Sequence, residues 1–149
     1  MKAITLTQPW ATLVAIGAKQ VETRSWKTNY RGTVAIHAAK AFPGYAKDFS
    51  QNSDLCRRVL GWPDPPNPLT QGWLDDIAYL IRSLPLGQVI ATARIVDCLP
   101  ASELSQGLSV QELEFGNYAA GRFGFVLQDI QRIDPAPARG ALSFWEWTR

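Results

Sequence analysis

Four side chains able to do chemistry crowd into ten residues, GAKQVETRSW, between Gly17 and Trp26: Lys19, Glu22, Arg24 and Trp26. In an extended chain alternate side chains share a face. Glu22, Arg24 and Trp26 therefore point one way, and Val21, Thr23 and Ser25 the other. On an open surface Glu22 and Arg24 form only a weak ion pair. On the wall of a cleft the same pair is more useful. A guanidinium fork takes a phosphate or a carboxylate, and a carboxylate accepts from the amino group of a base. Lys19 adds a point charge, and Trp10, Trp26 and Tyr30 are candidate stacking faces. Arg122, after Gly121 and at the start of a strand, is a second cation that either closes the cleft over a phosphate or caps a loop. Each has a structural counterpart. A helix C-terminus favours a lysine in any case, Glu22 and Arg24 can brace the fold, and tryptophans usually fill cores. Tyr118, Arg31 and Arg139 are weaker candidates.

The elements that must position these groups are readable. KAITL (Lys2 to Leu6) predicts a first strand, and TQPWATLVAIG a helix with Pro9 in its first turn and Gly17 as its stop. Gln20 to Trp26 predicts a strand, TVAIHAAK another, and GQVIATARIVDCL, RFGFVLQDIQRI and ALSFWEW three more. ASELSQGLSVQELEF holds one or two short helices. Residues 43–85 differ in texture. GYAKDFSQNSDLCRRVLGW is helical with a polar face, PDPPNP must be a turn or loop, and QGWLDDIAYLIRSL places Trp73, Ile77, Leu80 and Ile81 at helical spacing. Five or six scattered strands with peripheral helices, without βαβ alternation, predict one mainly β domain of mixed content over 1–149. Its expected architecture is a small barrel with a helical insertion around 43–85.

Composition narrows the function. Hydrophobic residues make up 46% and charged residues 19% of 149, which is a globular chain with a core. No apolar run approaches the ~20 residues of a membrane span, and the start MKAITLTQPW is no secretory signal, so a cytoplasmic location is expected. A net charge of +2 implies a local basic patch, not a polybasic binder. Cys56, Cys98 and the single His37 are a poor metal set, so neither a metal nor a cofactor is expected. His37, between Ile36 and Ala38, reads as a core or wall residue. Phosphate loops, nucleophile elbows and paired CxxC motifs are missing.

The ordered run QPWATLVAIGAKQVETRSWKTNYRGTVAIHAAK, followed by GQVIATARIVDC, FGNYAAGRFGFVL and PARGALSFWEW, resembles ASCH domains of the PUA-like superfamily. The likeness spans nearly the whole chain. It implies a PUA-like β-barrel, a cleft beside the first helix and an RNA- or nucleotide-related role. Relatives of this kind include binding modules, an amidohydrolase acting on acetylated cytidine, and reported nucleases. In the amidohydrolase branch a threonine three residues after the lysine is the nucleophile. Counting from Lys19, that position is Glu22 here, and Thr23 falls on the opposite face of the strand.

Three functions are therefore open. The first is an RNA- or nucleotide-binding module whose cleft is lined by Lys19, Glu22 and Arg24, with Trp10, Trp26, Tyr30 and Arg122 as further ligand contacts. The second is a hydrolase of a modified nucleoside or RNA using Lys19 and Glu22 as acid–base groups. The third is a protein-interaction domain presenting Trp62, Trp73 and the Pro-rich loop.

Overall fold

The computed structural model describes residues 1–149. Its elements run β1 (Lys2–Leu6), α1 (Trp10–Ala15), β2 (Val21–Arg24), β3 (Gly32–Ala38), α2 (Gly44–Asn52), α3 (Asp54–Leu60), α4 (Gln71–Arg82), β4 (Gln88–Pro100), α5 (Ala101–Leu104), α6 (Val110–Glu114), β5 (Phe123–Pro137) and β6 (Trp145–Glu146). The strands form one six-stranded mixed sheet in the order β2-β5-β4-β3-β1-β6. Only β1 and β3 pair in parallel.

The expected closed barrel is not formed. β2 and β6 are free edges, and they are only four and two residues long. The sheet nevertheless curls. β4 and β5, of 13 and 15 residues, are paired along their length with three register shifts, and such irregularities bend and twist strands. Bending brings the two ends together, and side chains bridge what backbone pairing leaves open. Arg24 of β2 donates from Nη2 to the Thr5 carbonyl of β1 at 2.7 Å. Trp26, just past β2, meets Phe144, just before β6, with ring centroids 5.3 Å apart. We call this line of contact the seam.

The core lies inside the curl. Ile4, Leu6, Ile36, Ile95, Phe125 and Leu127 are buried there, joined by Ala11 and Val14 of α1. Pro9 stands one position before α1, so the helix lacks a side-chain cap from its own first residue. Gln8 caps it instead: its Oε1 accepts from Thr12 N–H at 3.0 Å, and its Nε2 donates to the Pro85 carbonyl. Gly17 ends the turn at φ +80°, where a side chain would be strained. β2 is shorter than the alternation predicts, so Trp26 lies beyond the strand.

The 43–85 segment forms three helices. Ser53 caps α3 and Thr70 caps α4, accepting from Cys56 and Trp73 N–H respectively. Trp73 is buried with Ile77 and Ile81, its indole N–H donating to the Pro63 carbonyl, and half-buried Trp62 packs on the same cluster. These indoles pack the 43–85 helical segment together; they are not an exposed partner surface. No helix is long and apolar enough to cross a membrane.

Candidate functional site

A cavity of about 590 Å³ opens at the seam. β2 supplies Glu22 and Arg24, and Lys19 comes from the turn before it. Trp10 of α1, Tyr45 and Phe49 of α2, and the Phe115–Asn117 loop complete the wall. The structure thus brings together Lys19, Glu22, Arg24, Trp10, Trp26 and Arg122 of the residues singled out in the sequence. It does not bring Tyr30. That side chain lies outside the cavity, donates to the Thr33 carbonyl at 2.7 Å and packs edge-on against Phe144.

The three cations are already engaged. Lys19 is 1% exposed, and its Nζ donates to the Val21 and Phe115 carbonyls at 2.6 and 2.8 Å. Burial pushes its pKa below the ordinary lysine value. Glu22 and Glu112 oppose that shift, and Arg24 adds to it. Arg24 holds the seam through Thr5, and its Nε stands 3.6 Å from Glu22 Oε1. Arg122 donates to the Asn117 and Thr23 carbonyls at 3.1 and 3.2 Å. Each therefore anchors backbone as well as facing the cavity, which is why residue type alone could not separate the bracing and binding readings.

Two atoms of the pair remain unsatisfied. Glu22 Oε2 and Arg24 Nε are both sealed from bulk water and have no hydrogen-bond partner within the chain. Native interiors leave few such groups, because each costs about 1–3 kcal/mol. Beside them, Tyr118 Oη and Glu112 Oε2 are also unpartnered. Burial raises the pKa of Glu112, and raises that of Tyr118 with help from the neighbouring carboxylates. Gly116 lets the Tyr118 ring fold back, since a Cβ there would sit 2.6 Å from it.

The aromatic wall is divided. Trp26 is packed between Phe125 and Phe144. Trp10 stacks on Phe49 at 5.1 Å, with Tyr45 tilted 6.2 Å away. Tyr45 is 66% exposed and is the open ring at the cavity mouth. Sequence reasoning missed Tyr45, Phe49, Thr5 and Asn117, because they reach the site from α2, β1 and a loop with no local pattern to mark them. Thr23 touches the cavity edge, but its hydroxyl accepts from Asn117 N–H and is not a free neighbour of Lys19. No group of three or more His, Cys, Asp or Glu side chains is placed to hold a metal ion.

Solved structures share this fold of a curled mixed sheet with peripheral helices. An ASCH protein from Zymomonas mobilis superposes with a TM-score of 0.53 at 16% identity, over 99% of this chain and 87% of that one. A variant of the same protein gives 0.53 at 17% identity, covering 99% and 89%. The sequence matches the ASCH domain family over residues 4–134, and the chain belongs to that family. It is also 24% identical over 144 residues to activating signal cointegrator 1 of Mus musculus. That match covers 96% of this chain but only 22% of the longer relative.

Proposed function

We propose that the seam cavity binds an unpaired base of RNA, or a nucleotide-like ligand presenting the same edge. The carrying observation is the Glu22–Arg24 pair on the cavity wall, Nε 3.6 Å from Oε1, which leaves Glu22 Oε2 and Arg24 Nε without a hydrogen-bond partner, so that a turn of either side chain toward the cavity offers them to a ligand. An acceptor beside a donor complements an amino group beside a ring acceptor, the edge of cytosine or adenine. Single-stranded RNA exposes such edges and stacks its bases on aromatic rings. Exposed Tyr45, with Trp10 behind it, supplies the ring. The committed cations support base recognition over a phosphate fork: Arg24 is held by Thr5, and Glu22 and Glu114 place negative charge in the same cavity. The family membership favours an RNA-associated role.

Calorimetric titration with cytidine, adenosine, uridine and guanosine tests this reading. Cytidine or adenosine should bind best, and Glu22→Gln, which turns one acceptor oxygen into a donor, should weaken that binding about tenfold or more. Equal binding of all four nucleosides, or no effect of Glu22→Gln, overturns it.

A second reading, hydrolysis of a modified nucleoside or RNA, has one observation behind it. A neutral Lys19 amine would donate both hydrogens to the Val21 and Phe115 carbonyls and keep its lone pair free as a base, and burial favours that neutral form. Glu22 would then be the second acid–base group acting on a water. Product release from acylated nucleosides, lost in Glu22→Gln, would favour it.

A further inference from the structure

A second depression, of about 980 Å³, lies on the other side of Thr5. Its floor is His37 and Gly140, and its rim carries Lys40, Arg139, Leu86 and Leu142. The floor is tightly built. Gly140 packs so closely that a Cβ there would lie 2.5 Å from the His37 ring and 2.6 Å from Thr5 Oγ1. His37 Nε2 is 3.0 Å from the Ala138 carbonyl and must donate to it, so Nδ1 accepts from the Thr5 hydroxyl at 3.1 Å. Burial favours the neutral ring, and both of its nitrogens are occupied.

The rim is different in kind. Lys40 and Arg139 are exposed, no ion pair or side-chain hydrogen bond holds either, and no carboxylate lines the depression. In the seam cavity every cation is tied to backbone and two glutamates are present; here two cations stand unopposed. The two hollows are neighbours. Thr5 lines both, presenting its carbonyl to Arg24 and its hydroxyl to His37. The chain from Ala39 to Phe49 walls the second hollow with its first residues and the seam cavity with Tyr45 and Phe49.

We infer that Lys40 and Arg139 form a backbone-phosphate subsite for a nucleotide flanking the base in the seam, so that the ligand is a single-stranded oligonucleotide and not a free nucleoside. This rests on the base-binding reading above. The division of labour follows from charge: a base edge needs the paired acceptor and donor of Glu22 and Arg24, whereas a phosphodiester needs cations without competing carboxylates. Exposed Leu142 and Leu86 offer apolar surface to the sugar or to the flanking base.

The test uses the full chain, fluorescence anisotropy with a labelled cytosine- or adenine-containing RNA pentamer and its DNA counterpart, and calorimetry with the free nucleoside. In Lys40→Ala/Arg139→Ala, pentamer affinity should fall about tenfold or more and the slope of log K against log salt should flatten by about one to two, as for lost phosphate contacts. Nucleoside affinity should stay as in the parent chain, and Lys40→Arg/Arg139→Lys, which keeps the charges, should restore the pentamer. The DNA arm tells which polymer supplies the phosphodiester. Parent-like pentamer binding by the alanine double variant, an equal loss for nucleoside and pentamer, or binding of an acidic peptide in place of either pentamer overturns the subsite. A pentamer that responds to Lys40 and Arg139 but not to Glu22→Gln supports the subsite and overturns the base reading alone.

Discussion

Lys19→Met separates bracing from binding. The substitution keeps the length of an unbranched side chain and removes the ammonium. In the folded chain that ammonium ties the start of β2 to the loop after α6, through the Val21 and Phe115 carbonyls at 2.6 and 2.8 Å. Hydrogen bonds from a charged donor contribute about 1.5–3 kcal/mol each. The desolvation that lowers the Lys19 pKa, and that methionine does not suffer, offsets part of this. A net loss of about 2–4 kcal/mol follows, or roughly 5–15 °C in Tm for a chain of this length. Thermal unfolding followed by circular dichroism measures it. The pH dependence supplies a second check with a definite sign. Between its depressed folded value and the ordinary value of 10.5, Lys19 is neutral in the folded chain and charged in the unfolded one, so folded stability rises with pH there. The gap between the parent chain and Lys19→Met should therefore widen from neutral toward alkaline pH. A Tm within about 2 °C of the parent, or a gap that narrows with rising pH, would refute the bracing role assigned to this side chain.

Other outcomes follow from the same contacts. Gly124→Ala should destabilise the chain by about 1–3 kcal/mol in urea unfolding, because its Cβ would sit 2.3 Å from Leu104 Cδ1 and 2.9 Å from Val21 Cγ1; a neutral result would mean that α5 and β2 yield freely. Burial lowers the His37 pKa below 6.5, with the Ala138 hydrogen bond opposing, so the unfolded chain takes up that proton first and stability falls as pH drops through this window. His37→Gln should show a shallower fall between about pH 7 and 5, and an unchanged slope would exclude His37 as a contributor. Cys56, buried with its thiol pKa pushed up to about 12, should resist a thiol reagent in the folded chain while half-buried Cys98 reacts first; the reverse order would contradict the packing of α3 on α1.

Much of the fold was legible because its signals are local. The six strands, the first helix and the α4 face of Trp73, Ile77 and Ile81 follow from periodicity, but β5 runs on through Pro135 to Pro137 where a stop at Ile133 was expected, and β6 keeps only Trp145–Glu146 of ALSFWEW. Closure was not legible. Whether a curled sheet zips into a barrel depends on the length of its edge strands, and the alternation in Gln20 to Trp26 overstates β2, which ends at Arg24. The candidate site was half legible. Strand spacing placed Glu22 and Arg24 side by side on the cavity wall. It could not reveal that Arg24 reaches across the seam to Thr5, because that contact joins opposite ends of the sheet. It also suggested Tyr30 as a ring for the ligand, while the exposed ring at the mouth is Tyr45, carried by α2. The Arg139-Gly140 pair gave no directional signal, since its surroundings come from β1, β3 and the turn before β4.

The central claim is that the seam, between Thr5 of β1 and Glu22 and Arg24 of β2, receives a base. Two-dimensional amide and indole NMR during titration with cytidine or adenosine tests it most directly. Saturable shifts are expected, confined to Thr5, Lys19 to Trp26, the Trp10 indole and Phe115 to Asn117, with the same residues leading when the RNA pentamer is used. Shifts that map instead to α4 and the Pro-rich loop, or none at millimolar nucleoside, would contradict it.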